Sequence, residues 1–113
     1  MLNKMAIKYF LMLCIALMSA VTVASPDFWI DVRSSGEFKE SHVSTAVNIP
    51  YTDITKHIAS LTTNKNAEIY LYCGSGRRAG IAQKDLQALG YTNVTNIGGI
   101  GAALALEKTL QHQ

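Results

Sequence analysis

The stretch Tyr70-Leu71-Tyr72-Cys73-Gly74-Ser75-Gly76-Arg77-Arg78-Ala79-Gly80 decides how this chain is built: a β-type run ends at a cysteine, turns through glycines and enters a helix. Glu68 to Tyr72 is β-prone and alternating, and from Ile81 to Leu89 the apolar residues Ala82, Leu86 and Leu89 fall on one helical face. This pattern predicts Cys73 at the C-terminal edge of a strand, where open α/β sheets place their ligands. Gly74 and Gly76 are free to adopt positive φ and curl backbone N–H groups around the sulfur, and the helix behind adds the positive end of its dipole. The expectation is an anion cradle with a thiol at its centre, formed by Cys73, Gly74, Ser75, Gly76, Arg77 and Arg78.

Two arginines in a helix's first turn oppose the macrodipole, at a cost of a few tenths to about 1 kcal/mol each. A local rule broken in this way points to a compensating function. Arg77 and Arg78 are suited to bind an anionic substrate through forked hydrogen bonds and, with the inward N–H groups, to lower the thiol pKa. A plain core cysteine followed by two solvated arginines is the competing reading; the coincidence of cysteine, glycines and arginines at one strand-to-helix turn argues against it. Ser75 is not read as a nucleophile, because Gly-Ser-Gly here follows a cysteine and lacks the Gly-x-Ser-x-Gly frame. Its hydroxyl and N–H are expected to line the cradle.

Upstream, residues 1–24 read as a secretory signal. Lys4 and Lys8 supply a positive start, Phe10 to Met18 an apolar run, and Thr22-Val23-Ala24 a small-residue cleavage site. The apolar run is shorter than the ~20 residues of a membrane span, and the bulky Met12-Leu13 before Cys14 do not suit a lipoprotein site. The expected product is a single domain over residues 25–113, periplasmic or secreted and not bound to a membrane once the signal is removed. Loss of Lys4 and Lys8 leaves eight of the ten basic residues against eight acidic ones, a formally neutral chain. No basic stripe with interleaved aromatics remains, which argues against nucleic acid as a partner. With Cys14 gone, Cys73 is the sole thiol of an exported protein, and it has no internal disulfide partner.

About 89 residues allow one modest core. Asp27 to Val32 reads as a strand buried on both faces, and Ser34 to Glu40 as a short helical turn capped by Ser34 with Glu37 three residues on. Ala46 to Ile49 is a second short strand stopped by Pro50. Thr52 to Leu61 is a helix with Ile54, Ile58 and Leu61 on one face, and Thr62 to Asn66 is a polar turn. After the central strand and helix, Gly90 supplies a stop, Asn93 to Ile97 a strand, and Ala102 to Leu110 a closing helix. Strands alternating with helices predict a three-layer α/β/α sandwich around a mainly parallel sheet. His42, His57 and His112 lack metal-ligand spacing and are read as structural or solvated, and no metal or organic cofactor is expected.

The loop Cys73-Gly74-Ser75-Gly76-Arg77-Arg78-Ala79 resembles the active-site loop of the rhodanese sulfurtransferases, which reads Cys-x-x-Gly-x-Arg followed by a small residue. Two further segments agree. Trp29-Ile30-Asp31-Val32-Arg33 with Glu37-Phe38, His42-Val43 and Ala46-Val47-Asn48-Ile49-Pro50 is similar to the family's opening signature; Gly90-Tyr91-Thr92-Asn93-Val94 with Gly98-Gly99 is similar to its closing one. Ser41 and Thr45 stand where the family has glycines, and Ala102 to Leu106 run where a tryptophan is usual. The layout is that of the small secreted single-domain members. The resemblance implies a rhodanese-like fold, an ion pair between Asp31 and Arg33 that ties strand to loop, and sulfur transfer through Cys73. Its partners would be a small anionic sulfur donor such as thiosulfate and a thiophilic acceptor such as cyanide or a thiol.

Two alternatives stand beside that reading. Cysteine phosphatases and arsenate reductases also hold a thiolate in an anion cradle, but they close it with an arginine six positions after the cysteine, and Ala79 occupies that position here. A non-catalytic binding module, or a sulfur carrier serving an exported partner, is compatible with the same fold.

Overall fold

The computed structural model describes residues 24–112, so the secretory signal expected over residues 1–24 lies almost wholly outside the described residues. Four strands form one sheet: β1 (Phe28–Asp31), β2 (Val47–Asn48), β3 (Ile69–Cys73) and β4 (Val94–Gly99). Their order is β2-β1-β3-β4 and every pairing is parallel, with Ile30 opposite Val47, Phe28 opposite Ile69 and Ile69 opposite Val94. Parallel neighbours cannot be joined by hairpins, so helices carry the chain between them. These are α1 (Ser35–Glu40), α2 (Ile54–Leu61) entered through a 3-10 turn at Tyr51–Asp53, α3 (Arg77–Ala88) and α4 (Ile100–Gln111).

Strand alternation divides the interior into two cores. On one face Ile30, Ile69, Leu71 and Cys73 pack with Ile54 and Ile58 of α2 and with Ala79, Ala82 and Leu86 of α3. The opposite face carries Trp29 and Tyr72, covered by Val43 and by Ala103 of α4, with Ile100, Leu106 and Leu110 alongside. Trp29 meets Tyr70 edge to face at 5.2 Å between ring centroids, a geometry that adds about 0.5–1.5 kcal/mol to area burial. The three-layer α/β/α architecture and the parallel sheet are as the alternating pattern predicts. The closing helix packs through small and aliphatic residues, Ala103 with Ile100, Leu106 and Leu110.

The structure departs from expectation at both ends of the central unit. Leu89 is exposed rather than part of the core face of α3. The helix ends at Ala88, and Gly90 turns the chain at φ 95°. The Gly90 N–H then donates to the Gln87 carbonyl and the Tyr91 N–H to that of Leu86, the paired bonds of a Schellman motif. That turn swings Tyr91 into the place the helical spacing assigned to Leu89, and Tyr91 is buried with its hydroxyl donating to the Thr62 carbonyl at 2.6 Å. Further on, β4 runs past Ile97 to Gly99, and α4 starts at once at Ile100. Leu71 pairs with Asn96 but Tyr72 with Gly98, so Ile97 is an extra residue in β4, a bulge that brings Gly99 opposite Cys73.

Candidate active site

Cys73 is the last residue of β3, and Arg77 the first of α3, so three residues make the turn. Gly76 takes φ 100°, a conformation that costs glycine nothing, and its N–H points at the Cys73 sulfur from 2.9 Å. Gly74 does not share that conformation, contrary to expectation. Its missing side chain serves space instead, because a Cβ there would stand 3.2 Å from Nη2 of Arg78. The bulge supplies the other wall. A Cβ on Gly99 would run into the Gly74 carbonyl oxygen, so this close approach of β4 to the loop requires glycine. Asn96 fastens the two together: its Nδ2 donates to the Gly76 carbonyl and its Oδ1 accepts from the Gly98 N–H, both at 2.9 Å.

Cys73 is buried. Burial pushes its thiol pKa up, but the backbone N–H groups of Ala79, Ser75, Gly76 and Arg78 together outweigh that and hold it below the ordinary thiol value. The amides lower the pKa, as a curled loop at a helix start should, and Arg78, whose own charge is stabilised by the sulfur, acts in the same direction. The thiolate is the reacting form, so alkylation by iodoacetamide should rise with pH and level off at a lower pH than for a free cysteine, whose pKa is about 8.5. A rate that still climbs through that value would show that the amides do not act on the sulfur.

The two arginines have different surroundings. Arg78 donates from Nη1 to Oε1 of Glu37 at 2.8 Å and from Nη2 to Oε2 at 3.1 Å, a forked ion pair from α3 to α1. Arg77 is exposed, and among the described residues it enters no ion pair. Glu37 also closes the capping box of α1: the Glu37 N–H donates to Oγ of Ser34, and the Ser34 N–H donates back to the carboxylate. Hydrogen bonding to Arg78 is the main reason its carboxyl is held down at about 2; bonds from Ser34 assist and partial burial opposes. The dipole penalty expected of Arg78 is thus offset by a carboxylate brought in from another helix.

Behind the loop, Asp31 and Arg33 form the ion pair that the resemblance implies. Arg33 reaches both Asp31 oxygens, with the shortest contact at 2.7 Å, and Nη2 also donates to the Ser41 carbonyl at 2.7 Å. It joins the end of β1 to the end of α1, one layer away from the sulfur. His42 stacks on Phe38 with 3.7 Å between ring centroids and bonds to the Phe38 carbonyl, while His57 and His112 are exposed. Among the described residues no group of acidic, histidine and cysteine side chains could hold a metal. A cleft of about 440 Å³ beside β2, lined by Val47, Pro50, His57 and Leu61, is separate from the Cys73 loop.

All six residues read from the sequence as cradle lie in one turn or its first helical residues. Glu37, Asn96 and Gly99 were missed as its supports. Glu37 carried only a capping signal, Asn96 showed itself only as a polar residue within a strand, and Gly99 only as half of a glycine pair.

Comparison with known proteins agrees with this geometry. A family model described as rhodanese-like domain matches residues 16–103. Over 89 residues the chain is 37% identical to the thiosulfate sulfurtransferase PspE of Escherichia coli, covering 79% of this chain and 86% of that protein. It is 35% identical over 68 residues to the putative sulfur carrier protein YrkF of Bacillus subtilis, covering 60% of this chain but only 36% of that longer protein. A solved structure described as rhodanese with anions from E. coli superposes with a TM-score of 0.64 at 39% identity, covering 66% of this chain and 88% of the other.

Proposed function

Because the chain belongs to the rhodanese-like domain family and is an enzyme of the sulfurtransferase class, we propose that it takes sulfane sulfur from thiosulfate onto Cys73 and passes it to a thiophilic acceptor. The observation that carries this reading is the Gly76 N–H directed at the Cys73 sulfur at 2.9 Å inside a loop closed by Arg78. The Cys73 thiolate attacks the outer sulfur of thiosulfate; the sulfur–sulfur bond of the donor breaks, and its electron pair leaves with sulfite. One new sulfur–sulfur bond remains, as a Cys73 persulfide anion. Cyanide or a thiolate then attacks the outer sulfur, and the cysteine thiolate is regenerated. No net oxidation occurs, and no cofactor enters either step.

The N–H groups of Ser75 and Gly76 and the start of α3 stabilise the anion that replaces the thiolate, while Arg77 and Arg78 orient the charged donor. Ala79 supports sulfur over phosphate as cargo. It is fully buried where a phosphatase loop would close with arginine, so the cradle is one residue tighter. The catalytic domain occupies residues 25–113 and works in the periplasm or outside the cell, after removal of the signal at residues 1–24.

Incubation of residues 25–113 with thiosulfate should raise the intact mass by one sulfur atom, and cyanide should remove it with release of thiocyanate. An unchanged mass, with a thiol that still alkylates readily, would sink this reading. Loading without turnover to small acceptors would instead favour a sulfur carrier for a partner protein, a role that the similarity to YrkF supports.

A further inference from the structure

The turn at Cys73 brings two arginines and one acidic side chain together, and their charges do not act alike. Nη2 of Arg78 passes over Gly74, where a Cβ would be 3.2 Å away, before the guanidinium reaches Glu37. Arg78 therefore stands between the loop and the carboxylate. Arg77, in the same turn of α3, is exposed. The remaining nearby pair, Asp31 with Arg33, is buried and neutral as a unit. Apart from the Cys73 thiolate itself, the mouth of the loop thus carries two positive charges and one negative charge.

We propose that Glu37 is a specificity-determining residue: paired with Arg78, it cancels one of the two cationic charges beside Cys73 and sets the preference between doubly and singly charged sulfane donors. The inference rests on the sulfurtransferase reading of the site. Coulomb attraction scales with the charge of the ligand, so a change of one unit in the site alters the binding of a dianion twice as much, in free energy, as that of a monoanion. The carboxylate is one guanidinium away from the loop, well inside the screening length of about 10 Å at 0.1 M salt, so its charge is felt there. Its low pKa keeps it ionised across the working pH range, which makes the compensation a fixed property of the site.

Glu37→Gln removes the charge but keeps the cap, since glutamine also serves at the third helical position of a capping box. KM should be measured for thiosulfate, a dianion, and for benzenethiosulfonate, a monoanion that delivers its outer sulfur with benzenesulfinate as the leaving group. The variant should favour thiosulfate over benzenethiosulfonate about fivefold more than the native protein does. Glu37→Asp keeps the negative charge beside Arg78 and should leave the ratio at its native value. Equal changes in both KM values would reduce Glu37 to a structural cap, and a selective rise for thiosulfate would mean that it holds Arg78 in place for the donor; either result overturns the proposal.

Protection of Cys73 from iodoacetamide by sulfate against methanesulfonate repeats the comparison with inert anions. It is decisive even if neither donor is turned over, an outcome that would sink the sulfurtransferase reading by itself. The same shift toward the dianion is expected, and its absence overturns the proposal.

Discussion

Cys73→Ser should bring sulfur transfer from thiosulfate to cyanide down to background, a fall of about a thousandfold or more, while the fold survives. Serine keeps the shape of the side chain and gives the Gly76 N–H an oxygen to meet where the sulfur now lies at 2.9 Å. It can neither ionise at neutral pH nor carry a second sulfur in a stable bond. The variant should therefore show the native circular dichroism spectrum, no mass gain with thiosulfate, and no thiocyanate. Among the described residues Cys73 is the one free cysteine, so no neighbouring thiol can substitute. Sustained turnover by the serine protein would mean that the sulfur passes elsewhere.

The largest effect on stability is expected from Arg33→Met. Asp31 is fully buried and receives hydrogen bonds from the Arg33 guanidinium and backbone N–H. Removing one member of such a pair leaves a buried charge uncompensated, at a cost of about 3–5 kcal/mol. For a domain of this size that lowers Tm by roughly 15–30 °C. The Ser41 carbonyl loses its donor as well, which loosens the end of α1. A second substitution, Asp31→Leu in the Arg33→Met background, removes the orphaned carboxylate and should recover part of the loss, the rest remaining because the Arg33 N–H and the Ser41 carbonyl have lost their partners. A thermal melt of the single variant within a few degrees of the native one would show that water reaches Asp31 and solvates it.

The elements most legible in the sequence are those whose pattern is local. Short β-prone runs located all four strands, and the spacing of Ile54 and Ile58 set the buried face of α2. The serine and glutamate of the capping box marked α1, and the run from Cys73 to Arg78 placed its residues on one turn. Long-range choices were not legible. Leu89 fits the helical period as well as Leu86 does, and only the docking of Tyr91 after Gly90 expels it. Nothing in the spacing of Glu37 and Arg78 announces that residues 41 positions apart share a forked ion pair. Nor does β-propensity reveal the bulge at Ile97, which depends on the register of β4 against β3.

The pairing of Cys73 with Gly99 has a consequence for the order of events in folding. No fragment that stops short of Gly99 can close the wall around the sulfur, although the cysteine, the turn and α3 are then already present. Each parallel pairing joins segments tens of residues apart, as Phe28 with Ile69 shows, so the sheet forms through long-range closure rather than through local hairpins. Until those closures are complete, the thiol has neither its burial nor the support that β4 gives the loop. Cys73 is therefore a built-in reporter of the global transition: the time course of its protection from a thiol reagent during refolding records the arrival of the last strand.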